Sequence, residues 1–149
     1  MRMFLALVCL LDLQCTQLDV TTAFLYEFVD KDIYMRQPPG FDDGSGRVCH
    51  LVRALYGLKQ APRIWQEKLC SALLGMGFKA SDMDPNLYVL HKDGHTLMLL
   101  DYVDDMLLAS KSADLVKWVK DQLVDNFKIT DMGEVQKYVG LEVHRDKEA

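Results

Sequence analysis

The sequence of 149 residues has few features of a disordered, membrane-spanning or repetitive protein. Only four residues are proline and half are hydrophobic, a composition that argues against intrinsic disorder. Its apolar runs fall short of the roughly 18 residues that a membrane-spanning helix needs. Internal repeats, low-complexity tracts and Gly/Ser linkers are also missing. The length therefore predicts one domain with no marked boundary inside it.

Cysteine usage argues against a disulfide framework, although the even count would permit two disulfides. The four cysteines form no CxxC pair (Cys9, Cys15, Cys49 and Cys70). A chain with this much apolar content needs no such cross-link, so we predict reduced thiols inside the cell. Zinc is disfavoured because Cys49 and His50 have no matching pair at ligand spacing.

The apolar run after Arg2 has the length and flanking charge of a signal peptide. Asp12 ends the run, however, and no small-residue cleavage site follows. An ordinary buried helix explains the same residues, so we predict that the chain is not secreted.

Positive charge is scarce for a protein that would bind nucleic acid through bulk electrostatics. The net charge is −5, which excludes a free-standing basic nucleic-acid binder. The acidic excess lies entirely in the second half of the chain, and Asp101, Asp104 and Asp105 contribute to it.

Hydrophobic periodicity and turn residues predict an α+β fold. We expect helices over 2–11, about 62–76 and about 113–126. Residues 21–31 look irregular, and 127–143 alternate short strands with turns. Strands are predicted at Cys15–Val20, Ile33–Arg36, Leu87–Leu90, Thr96–Tyr102 and Met106–Ala109. The sequence Lys92-Asp93-Gly94 is a strong hairpin signal. We expect an antiparallel sheet with helices packed on one of its faces.

The segment from Tyr102 to Asp105 holds the sharpest chemical signal, because it places two adjacent carboxylates between two apolar strands. Adjacent carboxylates repel each other, and a divalent cation would turn that repulsion into ligation. An exposed Asp-Asp turn without any ligand explains the pair equally well. Asp19, inside the strand of Gln17 to Val20, is a candidate third carboxylate. Its 85 positions of separation from Asp104 leave open whether the three meet.

Four segments, in this order, resemble the reverse transcriptase of copia-type long-terminal-repeat retrotransposons. They are Leu18-Asp19-Val20-Thr21-Thr22-Ala23-Phe24-Leu25, Tyr34-Met35-Arg36-Gln37-Pro38-Pro39-Gly40-Phe41, Ala54-Leu55-Tyr56-Gly57-Leu58-Lys59-Gln60-Ala61-Pro62-Arg63 and Tyr102-Val103-Asp104-Asp105. The likeness runs essentially end to end. It implies a polymerase palm region over 1–149, with an antiparallel sheet, a catalytic hairpin and supporting helices.

The resemblance implies a site built on Asp19, Asp104 and Asp105. These residues match the metal-binding aspartates of the palm, and Val20 would add a backbone carbonyl. Two Mg²⁺ ions, for which Mn²⁺ can substitute, would activate the primer 3′-hydroxyl and neutralise the triphosphate. The reaction would be RNA-directed DNA synthesis from deoxynucleoside triphosphates.

The resemblance also implies contacts with the nucleotide and the nucleic acid. Phe24, Tyr56 and Gly57 would bind the nucleotide, with Phe24 excluding a ribose 2′-hydroxyl. Template or primer contacts would involve Lys59, Arg63, Tyr102, Val103, Tyr138 and Gly140. Simple core packing of Phe24, solvated cations at Lys59 and Arg63, and an ordinary amphipathic strand at 138–143 are the alternatives.

Two departures from the family pattern bear on activity. Asp101 stands where the family has an uncharged residue, and it could disturb the metal site. Compared with the family's domain order, most of the fingers region would be missing upstream of this chain. The thumb and the ribonuclease H domain would be missing downstream. We therefore expect the isolated chain to be inactive.

Three functions stay open from the sequence. The first is a polymerase that works with an RNA template, a DNA primer and the rest of the Pol polyprotein in cytoplasmic virus-like particles, with no membrane partner. The second is a non-catalytic remnant or interaction module. The third is an unrelated two-metal nuclease or phosphatase, which would leave Tyr56 and Gly57 without a role.

Overall fold

The computed structural model describes residues 1–146, and the chain divides into two compact units. The first unit consists of Met1–Thr21 together with Leu69–Ala149, and the second is Thr22–Lys68. No Gly/Ser linker or change of composition marks either crossing point. For this reason the sequence does not predict the division.

The described residues form three α-helices, one short 3-10 helix and ten strands, which confirms the α+β prediction. In chain order they are α1 (Arg2–Leu10), β1 (Gln14–Val20), the 3-10 helix (Ala23–Tyr26), β2 (Phe28–Arg36), β3 (Val48–Arg53), α2 (Ala61–Gly75), β4 (Lys79–Ala80), β5 (Leu87–Lys92), β6 (His95–Tyr102), β7 (Asp105–Ser110), α3 (Ala113–Val124), β8 (Ile129–Glu134), β9 (Lys137–Tyr138) and β10 (Leu141–Glu142).

A six-stranded sheet forms the centre of the first unit. Its spatial order is β4-β5-β6-β7-β1-β8, and every neighbouring pair is antiparallel. The predicted hairpin between β5 and β6 is confirmed, since Asp93 and Gly94 both have the positive φ angles that a tight two-residue turn requires. β1, from the start of the chain, lies between two strands from its second half. This insertion brings Asp19 beside the turn that follows β6.

Helices cover both faces of this sheet, so the expectation of helices on one face is wrong. On one face, Phe4 and Val8 of α1 pack in a core cluster with Leu107 of β7. On the other face, Leu18 of β1 and Val116 of α3 line a common cavity of about 470 Å³. The physical reason lies in β6 and β7, whose apolar runs bury side chains on both faces and therefore need cover on both.

The second unit contains the 3-10 helix and the two-stranded sheet of β2 and β3. The prediction of irregular structure over 21–31 is wrong from Phe28 onward, where β2 already begins. Its pairing with β3 shifts register between Phe28 and Ile33. The exposed charges Asp30, Lys31 and Asp32 interrupt the apolar alternation there, which hides the strand from a periodicity argument.

Two further sequence predictions can be compared with the structure. All four cysteines are free in the structure. Within residues 1–146 no helix is both long and apolar enough to cross a membrane.

Candidate active site

The turn between β6 and β7 carries the adjacent carboxylates. Tyr102 pairs with Asp105 across the hairpin, so Val103 and Asp104 form a two-residue turn. Val103 has a φ of 60°. A β-branched side chain is strongly disfavoured in this left-handed region, and such strain is typical of functional sites.

Asp19 lies directly opposite this turn. In the antiparallel pairing of β1 with β7, Asp19 is the register partner of Asp105. The Val20 amide donates a hydrogen bond to the Asp104 carbonyl at 2.7 Å. The structure thus brings together Asp19 and Asp105, which are 86 positions apart in sequence. Opposed residues of an antiparallel pair share a face, so the Asp19 and Asp105 side chains are close neighbours.

Like charge concentrates at this end of the sheet. Partial burial raises the pKa of the Asp19 carboxyl, and the nearby Asp105 and Asp104 carboxylates raise it further. Cation binding stabilises the ionised form of such a cluster of carboxylates, because ligation to the cation replaces the repulsion between them.

Gln17 is a member of the site that the sequence analysis missed. Its Nε2 donates a hydrogen bond to Oδ1 of Asp105 at 3.0 Å. Gln17 stands two residues before Asp19 on β1, so the period-two alternation of a strand puts both on one face. That spacing is the signal that could have identified it.

The oxygen donors of this site suit a hard cation, although the side chains are not arranged in a complete coordination geometry. Carboxylates and backbone carbonyls are the ligands that Mg²⁺ prefers, and Asp19, Val20, Asp104 and Asp105 supply both kinds. Within residues 1–146, however, no group of three or more His, Cys, Asp or Glu side chains is arranged to hold a metal ion. The chemistry of the ligands fits, and the aspartates would need to adjust their side-chain positions.

Asp101 is buried, with only 4% of its surface exposed. Strand alternation places it on the face of β6 opposite to Leu100, while Leu100 belongs to the core that includes Leu107 and α1. Asp101 therefore faces away from Asp19 and Asp105. Its Oδ1 accepts no hydrogen bond from any described residue. Burial, and secondarily the charge of Asp104, raises the pKa of this carboxyl to about 7.

The residues expected to contact primer and template lie at different depths. Tyr102 is 54% exposed, beside the turn. Tyr138 is only 1% exposed, and its hydroxyl lies 3.3 Å from the Asp105 carbonyl, to which it donates. Gly140, with positive φ, belongs to the exposed turn that joins β9 to β10.

The residues expected to bind the nucleotide belong to the second unit. Phe24, in the 3-10 helix, is 6% exposed. Its ring centroid lies 4.5 Å from that of Tyr56, and the planes are tilted by 53°. Gly57 follows with a φ of 94°, a conformation that most other residues would adopt only with strain.

The two candidate cations of the second unit have different surroundings. Arg63, at the start of α2, forms ion pairs with Asp30 at 2.9 Å and Glu67 at 2.8 Å. Both partners reduce the charge available for a phosphate. Lys59 is exposed in the loop before α2.

The chain is similar to known proteins along its whole length. A family model described as reverse transcriptase (RNA-dependent DNA polymerase) matches residues 1–149. The chain is 38% identical over 149 residues to the retrovirus-related Pol polyprotein from transposon TNT 1-94 of Nicotiana tabacum, covering 98% of the chain and 11% of that protein. It is 42% identical over 131 residues to the Pol polyprotein from transposon RE1 of Arabidopsis thaliana, covering 87% of the chain and 9% of that protein. The putative transposon Ty5-1 protein of Saccharomyces cerevisiae is 36% identical over 130 residues, covering 86% of the chain and 42% of that protein.

Proposed function

The chain belongs to the reverse transcriptase (RNA-dependent DNA polymerase) family, and we propose that it carries the catalytic palm region of a copia-type transposon polymerase. The register that sets Asp19 opposite Asp105 is the observation that carries this proposal. In the proposed reaction, the primer 3′-hydroxyl attacks the α-phosphate of a deoxynucleoside triphosphate and pyrophosphate leaves. An RNA strand serves as template.

Asp19, Asp104 and Asp105, with the Val20 carbonyl, would hold two Mg²⁺ ions or their Mn²⁺ substitutes. When bound, these ions favour ionisation of the 3′-hydroxyl and stabilise charge on the triphosphate. The role of the protein is to position the carboxylates. Pairing of β1 with β7 fixes the backbone at Asp19, and the two-residue turn fixes it at Asp104.

The nucleotide and nucleic-acid contacts follow from the same proposal. Phe24 is packed against Tyr56, and we propose that its ring discriminates against a ribose 2′-hydroxyl by steric exclusion. The glycine at position 57 allows close approach of the backbone to a ligand. Because Tyr138 is buried, it would contribute to primer binding indirectly, by holding the Asp105 carbonyl.

Exposed and half-buried residues would supply the remaining template and primer contacts. Tyr102 and the half-buried Val103 lie at the β6–β7 turn, Gly140 lies at the β9–β10 turn, and Lys59 and Arg63 carry positive charge in the second unit. Electrostatic contacts of this kind bind phosphates without reading sequence.

The chain spans 11% and 9% of the two plant polyproteins that it resembles. The activity, substrates and partners of a whole polymerase are therefore proposals for this chain. We propose that it works with an RNA template, a DNA primer and other parts of a Pol polyprotein. The proposed setting is the cytoplasmic virus-like particle.

Primer extension on an RNA template tests the proposal when the chain is assayed together with the other parts of a Pol polyprotein, because we expect the chain to be inactive alone. The wild-type chain, Asp104→Asn and the exposed-site control Asp32→Asn would be compared in Mg²⁺ and in Mn²⁺. Extension that persists in Asp32→Asn and disappears in Asp104→Asn supports the polymerase. Extension that survives in Asp104→Asn contradicts the proposed site.

Asp101 favours a second candidate, a non-catalytic remnant. A buried carboxyl whose Oδ1 lacks a hydrogen bond among the described residues is costly, and a functional polymerase gains nothing evident from it. The Asp101→Leu variant separates the two candidates. Extension by this variant, with none by wild type, would indicate a palm that Asp101 has disabled.

A further inference from the structure

Gln17 reaches the proposed metal site from the strand that also carries Asp19. Its register partner on β7 is Leu107, while Asp105 is the partner of Asp19. Gln17 and Asp105 are therefore diagonal neighbours across the two strands. Their partly buried hydrogen bond measures 3.0 Å from Nε2 to Oδ1 and joins positions 88 residues apart.

A diagonal contact of this kind requires a long side chain. Diagonal neighbours in an antiparallel pair are about 7–8 Å apart at their Cα atoms, and glutamine spans this gap with one more methylene than asparagine has. Its amide also suits the site electrically. A lysine would bring a positive charge that competes with a cation, and a glutamate would add to the repulsion among Asp19, Asp104 and Asp105.

A β-bulge occurs at the same position. The pairing of β1 with β8 shifts register between Gln17 and Leu18, and Gly133 stands opposite Gln17. The extra residue, Met132, lies on β8, so the bulge bends and twists β8 beside Gln17; such bulges are common beside active sites. Because Gly133 has no side chain, β8 presents only backbone to Gln17 at this point.

From this geometry we propose that Gln17 is a positioning residue for Asp105. Its amide holds Oδ1 and so fixes the orientation of the carboxylate, which keeps a second oxygen available as a ligand. The inference rests on the proposed metal-dependent function, because Asp105 acquires its importance there. It adds a residue that acts through Asp105 without touching the reacting atoms.

Mn²⁺ affinity, measured for the full chain by electron paramagnetic resonance, gives a readout that is independent of polymerase activity. The test variant is Gln17→Leu, which keeps the approximate volume and removes the donor. Loss of a partner that orients a metal ligand typically weakens metal binding about 10–100-fold. We expect a loss in that range. Gln17→Asn should lose affinity similarly, because its amide is one methylene too short.

Gln14→Leu is the matched control. Gln14 lies on the same strand, is exposed, and points to the opposite face. Its substitution should leave the Mn²⁺ affinity unchanged. Thermal unfolding without metal would verify that each variant is folded.

The outcomes separate the two claims. Wild-type binding with a selective loss in Gln17→Leu and Gln17→Asn supports the inference. Equal Mn²⁺ affinity in wild type and in folded Gln17→Leu overturns the positioning role and leaves the metal site standing. A folded wild-type chain that binds no Mn²⁺ overturns the proposed metal site and, with it, the role of Gln17.

Discussion

Asp101 and Asp105 belong to one hairpin, yet they lie on opposite faces of the six-stranded sheet. Asp105 faces Asp19 and Gln17, whereas Asp101 alternates with Leu100 and is buried on the other side. The extra carboxylate therefore does not join the candidate metal ligands. Asp101 affects the stability of the fold. It influences the candidate site only through the electrostatic interaction of its charge with that of Asp104.

Replacing Asp101 by leucine should stabilise the protein at neutral and alkaline pH. The pKa of Asp101 is about 7 in the folded chain and about 3.9 in an unfolded one. The folded state thus retains a proton that the unfolded state loses, so stability falls as the pH rises from about 4 to 7. Above that range the cost is on the order of 4 kcal/mol.

Urea unfolding at pH 5 and pH 8 would measure this effect. Wild type should lose more stability between the two pH values than Asp101→Leu does, because only wild type must ionise a buried carboxyl at this position. Asp101→Asn separates charge from polarity, since it removes the ionisation and keeps a polar side chain. Equal pH dependence in wild type and Asp101→Leu would contradict the prediction.

Divalent cations should stabilise the wild-type chain through Asp19. The pKa of Asp19 is raised in the folded state, so without metal its contribution to stability falls as the pH rises through that pKa. Cation binding reverses the effect by favouring the ionised form. A cation at tenfold its dissociation constant adds about 1.4 kcal/mol to the free energy of unfolding.

Thermal unfolding at pH 8 with and without Mg²⁺ or Mn²⁺ would check this prediction. The melting temperature should rise by a few degrees in wild type, and not in Asp19→Asn. Asp32→Asn provides a control at an exposed carboxylate of the second unit, and its response should match wild type. A metal-induced rise in Asp19→Asn equal to that of wild type would exclude Asp19 as a ligand.

Tyr138 should contribute mainly through its ring. The ring is buried in the core that includes Leu107, while the hydroxyl makes long hydrogen bonds of 3.3 Å and 3.5 Å to the carbonyls of Asp105 and Leu100. Tyr138→Phe should cost about 1 kcal/mol or less. Tyr138→Ala should cost about 3–5 kcal/mol because it opens a cavity. Chemical denaturation distinguishes the two, and equal losses would contradict the dominance of packing.

Local patterns in the sequence predict much of this fold. Apolar periodicity places α1, α2 and α3 to within a residue or two, and the Asp93–Gly94 turn fixes the pairing of β5 with β6. The division at Thr22 and Lys68 is not predictable in this way, because it depends on which segments contact each other. The first part of β2, around Lys31, is not predicted because its charged residues interrupt the alternation of apolar and polar side chains.

The candidate site depends on both local and long-range information. The adjacent carboxylates Asp104 and Asp105 are visible in the sequence, as is their turn. Their meeting with Asp19 depends on β1 entering the sheet beside β7, which no local signal specifies. The hydrogen bond from Gln17 follows only once that register is known. The resemblance to a family points to Asp19 and does not explain Gln17.

We expect the turn at Val103 to be less stable than the same turn with a glycine at this position. Val103 adopts a φ of 60°, and the left-handed conformation costs about 1–2 kcal/mol for an L-residue. Val103→Gly removes this strain. The glycine also gives the unfolded chain more conformational freedom, which lowers the free energy of unfolding by about 0.5–1 kcal/mol. A net gain of up to about 1.5 kcal/mol in the free energy of unfolding should therefore appear in urea titration. Val103→Ile, which keeps the β-branch and the strain, should show no gain in stability and serves as the control.

The Val103→Gly substitution should also weaken Mn²⁺ binding, because a looser turn holds Asp104 and Asp105 less firmly. A variant that is both more stable and equally tight for Mn²⁺ would show that the strain has no role at the site.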